Sequence, residues 1–153
     1  MTARSLGRER IALLIPHGGS MCLIDEVVDW DARRIHCRSR SHLDPAHPLR
    51  RDGRLAALHL IEYGAQSMAI HGGLDAQSRG ETAAPGLLVS AREVQLHVER
   101  LDDLPGALEL HAEQQLANGN GWLYAFRALC GERLLGSGRL AVMISSQTSV
   151  RPE

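Results

Sequence analysis

Leu55-Ala56-Ala57-Leu58-His59-Leu60-Ile61-Glu62-Tyr63-Gly64-Ala65-Gln66-Ser67-Met68-Ala69-Ile70 is the stretch that decides how this chain folds. It holds no Pro and one Gly, and Leu55, Leu58, Leu60, Ile61, Ala65, Met68, Ala69 and Ile70 fall on nearly every side of a helix. A helix that is apolar all round has no face to give to water, so other structure must wrap it. His71-Gly72-Gly73 offers C-cap chemistry and predicts the helix end there, with Leu74 to Pro85 as a polar connection. One carboxylate, Glu62, sits inside the apolar run. Burying it is costly unless it is protonated, paired or used, which makes it the first functional suspect.

Upstream, Ile11 to Ile15 closed by Pro16 reads as one or two helical turns, Met21 to Val28 as a strand, Trp30-Asp31-Ala32 as a turn and Arg34 to Arg40 as a second strand. Residues Ser41 to Arg54 carry Asp-Pro, His-Pro and Asp-Gly dipeptides and read as irregular loop. That loop holds His47, fifteen residues before Glu62. Downstream, Leu87 to Val98 alternates, Pro105-Gly106 turns into Leu108 to Leu116, and Asn118-Gly119-Asn120-Gly121 is a hairpin signal leading to Trp122 to Leu129. Gly131-Glu132 turns again before Leu134 to Ile144, and residues from Ser145 on read as a frayed tail. Two strands, one long apolar helix and several antiparallel strands make an α+β domain, a hot-dog fold in which a curved antiparallel sheet wraps the central helix.

The 153 residues fit one domain, with its core over about 11–144. The 17 basic and 18 acidic residues are scattered, and there is no basic block and few aromatics, which argues against a nucleic-acid partner. All the basic residues are Arg, a bias without functional weight. Cys22, Cys37 and Cys130 are odd in number and widely spaced, matching neither a disulfide framework nor zinc spacing, and point to a reducing cytoplasm. Met1 to Arg10 lacks the following apolar run of a signal peptide, and no stretch is long enough to span a bilayer. The eight His form no HxxxH pattern and no Cys/His cluster, so no metal site is expected.

Ile15-Pro16-His17-Gly18-Gly19-Ser20-Met21-Cys22-Leu23-Ile24-Asp25 resembles the opening of the 3-hydroxyacyl-acyl carrier protein dehydratases. Ile61-Glu62-Tyr63-Gly64-Ala65-Gln66 is similar to that family's helix motif, a carboxylate followed by an Ala-Gln pair, and Pro105-Gly106-Ala107-Leu108 to the turn before its long strand. The Glu62-Tyr63 pair, Met68-Ala69-Ile70-His71-Gly72 and Arg100-Leu101-Asp102-Asp103-Leu104-Pro105 resemble most the dehydratase-like proteins of aryl polyene pigment clusters. The resemblance implies a homodimer whose two sheets join into one, with a loop His of one subunit and a helix carboxylate of the other at the interface. Those roles fall on His47 and Glu62. It implies a substrate bound to acyl carrier protein through phosphopantetheine, and no further cofactor. The chain departs from the family at the loop, Ala46-His47-Pro48, and at the helix start, where Ala56-Ala57 replaces Pro-Gly.

Dehydrating a 3-hydroxyacyl thioester requires a base for the Cα proton, an acid for the departing hydroxyl and donors for the thioester oxygen. Neutral His47 would be the base, Glu62 the proton donor and the Ala57 N–H the oxyanion donor. His47 could instead be a loop residue bonded to backbone beside Pro48, and Glu62 a buried structural pair. His59 and Gln66 stand near Glu62 on the helix as supporting residues. His59 would hydrogen-bond Glu62, and Gln66 would orient the carboxylate or satisfy a strand carbonyl. Arg50, Arg51 and Arg54 could meet the phosphopantetheine phosphate or an acidic carrier protein, or form a solvated face. His17, His42 and His71 read as structural, with His71 at the helix C-terminus. His36, His97 and His111 read as surface residues of strands. Ser20, Ser67 and Ser90 lack a G-x-S-x-G setting, which disfavours a serine hydrolase. Two alternatives remain open: a hot-dog thioesterase in which Glu62 activates water, and a non-catalytic acyl-binding or heterodimer subunit.

Overall fold

Helix α2 (Leu60–Ser78) continues a single 3-10 turn, Ala57–His59, so the chain is helical from Ala57 to Ser78. The computed structural model describes residues 5–15, 19–82 and 86–144. His17, Pro16 and the tail from Ser145 lie outside the described residues. The helix does not stop at His71-Gly72-Gly73. Leu74 and Ala76 are buried, and Gly73 lies where a Cβ would meet the Leu14 side chain at 3.3 Å, so tertiary packing carries the helix past its local stop signal. The cap is Gly80, at φ +69°, with its N–H on the Gln77 carbonyl. His71 is therefore buried mid-helix, its Nε2–H donating to the Asp31 carbonyl at 2.8 Å and its Nδ1 accepting from the Tyr124 hydroxyl at 2.6 Å.

The strands are β1 (Leu6–Gly7), β2 (Glu26–Trp30), β3 (Arg34–Ser39), β4 (Gly86–Leu96), β5 (Leu108–Asn118), β6 (Gly121–Cys130) and β7 (Arg133–Ile144), and helix α1 is Arg8–Ala12. They form one antiparallel sheet in the order β1-β2-β3-β5-β6-β7-β4. The hairpin signal holds: Asn118 pairs with Gly121, and the Asn118 side chain accepts from the N–H groups of Asn120 and Gly121. Period-two burial puts Ile35, Cys37 and Ser39 of β3, Leu108, Leu110 and Ala112 of β5, and Tyr124, Phe126 and Ala128 of β6 in the core with the helix. A Cβ on Gly64 would lie 2.9 Å from Phe126 and 3.1 Å from Leu140, so the glycine is what lets helix and sheet approach. This is the hot-dog fold, a curved seven-stranded sheet around one long helix.

Strand β2 begins later than the sequence pattern predicts, because Gly19–Met21 is a 3-10 turn and residues 22–25 are not strand, although the Asp25 N–H already donates to the Arg38 carbonyl of β3 at 3.1 Å. On the outer face His36 and His111 stack at 4.2 Å, half-buried, and His36 Nε2 lies 2.6 Å from Glu109. His97 is exposed just past β4. Strand β4 forms one edge of the sheet and is exposed along nearly its whole length, including Leu87, Leu88 and Val89.

Candidate active site

The entry into α2 is pinned by backbone. The Leu55 N–H donates to Asp102 Oδ1 at 2.8 Å, Leu101 N–H to the Leu55 carbonyl at 2.8 Å, and Ala57 N–H to the Glu99 carbonyl at 3.0 Å. Arg100 pairs with Asp102, and the guanidinium holds that carboxyl well below the usual range. The Ala57 N–H expected as an oxyanion donor is thus already spent. Closing the bridge between Ala56 and Arg100 uses it, which leaves Leu58 as the next backbone donor of that first turn.

Glu62 lies in the first turn of α2, half-buried. Gln66, fully buried one turn on, donates from Nε2 to Glu62 Oε1 at 3.0 Å and to the Met21 carbonyl at 2.7 Å, and its Oε1 accepts from Leu23 N–H at 2.8 Å. One amide therefore both orients the carboxylate and satisfies the extended segment. The carbonyl it meets belongs to the 3-10 turn Gly19–Met21 rather than to a strand. His59, half-buried at the helix entry, bears electrostatically on His47.

His47 sits in the loop after the 3-10 turn Ser41–Leu43, 5% exposed. Its Nδ1 accepts from Leu49 N–H at 3.1 Å, and its Nε2 lies 3.1 Å from the Tyr63 hydroxyl. Burial, with His59 and Arg50 nearby, pushes its pKa below the ordinary histidine value of 6.5. The ring is neutral, and its hydrogen bonds go to Leu49 and Tyr63 rather than to Glu62 of the same chain. Tyr63 is buried, its hydroxyl also 2.6 Å from Ser41 Oγ, and burial pushes its pKa up to about 12. Ser41 in turn donates to the Leu23 carbonyl at 2.8 Å and touches Ser39 Oγ at 2.8 Å. Asp25, last residue of the opening motif, ties this corner down by accepting from Arg40 N–H at 2.6 Å and pairing with Arg8 at 3.0 Å.

The three arginines part company. Arg50 donates to the carbonyls of His42, at 2.8 Å, and Gly53, at 3.3 Å, so its fork holds the loop together. Arg51 and Arg54 are exposed and exchange backbone bonds across Asp52-Gly53, both at positive φ, in a two-residue turn. His42 is buried against the Leu104 carbonyl at 3.0 Å. A cleft of about 250 Å³ opens beside His47, with Arg8, Asp25, Arg40, Ser41 and Asp44 among its walls, too charged for an acyl chain. A larger hollow of about 550 Å³ on the outer face, by His36 and His111, holds neither His47 nor Glu62. Among the described residues no group of His, Cys, Asp and Glu is placed to hold a metal ion, and no helix is long and apolar enough to cross a membrane.

Residues 9–150 match the ApeP-like family, described as ApeP dehydratase. The chain belongs to the ApeP-like dehydratases. Among solved structures, this ApeP-like chain is similar to the dehydratase heterocomplex ApeI:P of Xenorhabdus doucetiae, with TM-score 0.80, 22% identity, and coverage of 90% of this chain and 92% of that one. A thioesterase of Haemophilus influenzae follows at TM-score 0.58 and 11% identity, covering 83% and 82%. A hypothetical thioesterase of Streptococcus pneumoniae, solved with coenzyme A, stands at TM-score 0.55 and 10%, covering 78% and 84%. These likenesses are of fold. The comparison with curated proteins returned no match.

Sequence reasoning on the ApeP-like chain missed Tyr63, Ser39 and Ser41 as parts of the His47 setting. Tyr63 figured only as a neighbour of Glu62. The available signal was the hydroxyl pair Ser39 and Ser41 leading out of β3 toward His47, with a tyrosine on the helix that β3 packs against.

Proposed function

We propose that this chain dehydrates a 3-hydroxyacyl thioester carried on acyl carrier protein to the trans-2-enoyl thioester, in aryl polyene or fatty-acid-like biosynthesis. His47 and Glu62 act across a subunit interface. One group removes the Cα proton, a proton goes to the departing hydroxyl, and water leaves as the C2–C3 double bond forms. The observation that carries the reading is that both side chains are held ready around one turn of one helix. Gln66 aims Glu62 and Tyr63 restrains His47, yet the two do not bond one another within the chain. A second subunit brings the catalytic counterpart of each, and the exposed edge β4 is where its sheet would continue.

That second subunit is a copy of the chain or a different hot-dog partner. Two features support the different partner. Both ring nitrogens of His47 are engaged within its own chain, and the structurally similar ApeI:P dehydratase is a heterocomplex. Arg51 and Arg54, exposed on their turn, are the candidates for carrier protein or phosphopantetheine phosphate, and no cofactor beyond that carrier group is required. Thioesterase chemistry is the competing reaction, since a helix carboxylate that aims a water serves it equally.

Mass spectrometry of a carrier-bound 3-hydroxyacyl substrate, incubated with wild type and Glu62→Gln, separates the readings. Water loss abolished by the substitution supports dehydration. Free acid identifies a thioesterase. Water loss only after a second hot-dog subunit is added identifies the heterodimer.

A further inference from the structure

The outer face of the sheet pairs its charges in two rows and fails to do so in the row between them. Glu26, Arg38 and Glu109 stand directly opposite one another on β2, β3 and β5, and Arg38 donates to the two carboxylates at 3.2 and 2.7 Å. Farther along β3, Arg34 stands opposite Glu113, 3.4 Å away. The row between them runs Asp29, His36, His111, Arg127, Ser137 and Gln95 across β2, β3, β5, β6, β7 and β4. Its centre is two imidazoles stacked at 4.2 Å and a guanidinium, with no carboxylate among them. Groups that carry like charge when protonated weaken a sheet when they stand directly opposite one another.

The carboxylates near enough to compensate are committed elsewhere. Glu109 has one oxygen on Arg38 and the other 2.6 Å from His36 Nε2, and Glu113 belongs to Arg34. Arg127 is exposed and, among the described residues, makes no ion pair and no side-chain hydrogen bond. The His111 ring and the Ser137 hydroxyl on either side of it make no side-chain hydrogen bond either. Neighbouring strands lie about 4.8 Å apart, so His111 and Ser137 stand about 10 Å from each other with the Arg127 fork between them. All three line the hollow of about 550 Å³, which reaches back to Asp29 and Trp30. A break in local charge pairing on the floor of a hollow this size marks a place that a ligand completes.

We propose that this outer-face hollow is an oxyanion site, in which Arg127, His111 and Ser137 hold a phosphate group, free or esterified to a small polar body lying toward Trp30 and Asp29. A phosphate has three terminal oxygens, enough for the guanidinium fork and both flanking donors, where a carboxylate has two. The site stands apart from His47 and Glu62 and does not depend on the dehydratase reading.

The proton balance of the row follows from the same geometry. Burial, and after it His36 and Arg127, hold His111 below the ordinary histidine value of 6.5, while Glu109 opposes them. The other charges around it are Arg34 and Arg38 of β3, Glu113 of its own strand and Asp29 of β2. Arg34, Arg38 and Glu113 are closed into pairs of their own. An anion seated between His111 and Arg127 favours the charged ring, so its binding raises the His111 midpoint.

The test follows ¹³C-labelled histidine ring signals of the assembled protein by NMR, with His111→Asn identifying the His111 signal. Inorganic phosphate, titrated to about 10 mM against chloride of equal ionic strength, is expected to move that signal saturably and to raise its midpoint by about one unit. Arg127→Gln changes an exposed residue, so the fold is expected to stay intact while phosphate binding weakens about tenfold or more and the His111 shift disappears. Ser137→Ala is expected to weaken binding about threefold. A drift without saturation, or a shift as large in Arg127→Gln as in wild type, identifies an adventitious ion only and overturns the proposal. A shift that chloride reproduces overturns it as well.

Ribose 5-phosphate and ribose separate the two sources of the phosphate. Binding of the ester about tenfold tighter than inorganic phosphate assigns the hollow to an esterified ligand, and equal binding assigns it to the free ion. Ribose that shifts His111 as strongly as its phosphate overturns the oxyanion assignment.

Discussion

The Gln66 amide sits one helical turn from Glu62 and donates to its carboxylate at 3.0 Å while the same side chain stands in for a strand partner of residues 21 and 23. Replacing Gln66 by Leu leaves the buried Leu23 N–H and the part-buried Met21 carbonyl without their partner and releases the carboxylate from the amide. Each buried group left unmade costs about 1–3 kcal/mol, so a loss of about 2–5 kcal/mol is expected in urea unfolding, with turnover falling further than the folded fraction does. Turnover that merely follows the folded fraction would make Gln66 structural only.

Two glycines of α2 make predictions of opposite sign. A Cβ on Gly64 would press on the root of the Phe126 ring at 2.9 Å, where neither ring nor helix backbone can swing away. The helix-propensity gain of about 1 kcal/mol for Gly→Ala is outweighed by overpacking of about 1–3 kcal/mol, so Gly64→Ala should lower Tm. A methyl group on Gly72 would meet nothing within 4 Å, so Gly72→Ala should raise Tm, by about 0.5–1 kcal/mol of stability. Thermal melts of both variants check the pair.

The glycines also show how far the sequence could be read. The helix, the four long strands and the Asn118-Gly121 hairpin follow from local periodicity and turn chemistry, and the structure has them. The helix end does not, because Gly72-Gly73 looks like a stop unless one knows that Leu14 lies against Gly73 and that Leu74 and Ala76 are buried. The start of β2 escapes local reading for a similar reason. Residues 21–23 have the composition of a strand, but the groups they bond include side chains, Gln66 on the Met21 carbonyl and Leu23 N–H, and Ser39 and Ser41 on the Leu23 carbonyl. At the site, Glu62, His47 and Gln66 stand out by type and setting. Tyr63 does not, since a tyrosine on an apolar helix looks like packing until the Ser41 and His47 contacts are seen. The Ala57 N–H looks free in the sequence because its acceptor, the Glu99 carbonyl, is remote along the chain.

Acid should destabilise the fold from an identifiable point. Burial lowers the pKa of both His42 and His47 from the ordinary 6.5. Below that value the unfolded chain binds protons that the native chain refuses, so stability rises with pH through this window. It is complete above about 6.5 and is lost as pH falls toward the lowered native values. Urea midpoints should be level between pH 7 and 8 and decline from pH 6.5 to 5. His42→Gln should make the decline shallower, and a slope unchanged by that substitution would assign the acid sensitivity to other groups.

Strand β4 should be where a second subunit joins. An edge strand eleven residues long and exposed along nearly its whole length invites pairing, and it carries Leu87, Leu88 and Val89 where a monomer would place charge or proline. The pair Glu93 and Arg139, 3.3 Å apart, lies farther along the same edge and is exposed, so a charge added there is not decisive. Leu87→Lys with Val89→Lys places two cations where the partner's strand would lie. Light scattering should then report a single chain where wild type reports an assembly, and water loss should disappear with the assembly, since His47 and Glu62 would no longer face a second subunit. An assembly of unchanged mass would move the interface away from β4, and single chains that still dehydrate would show that the site is complete within one subunit.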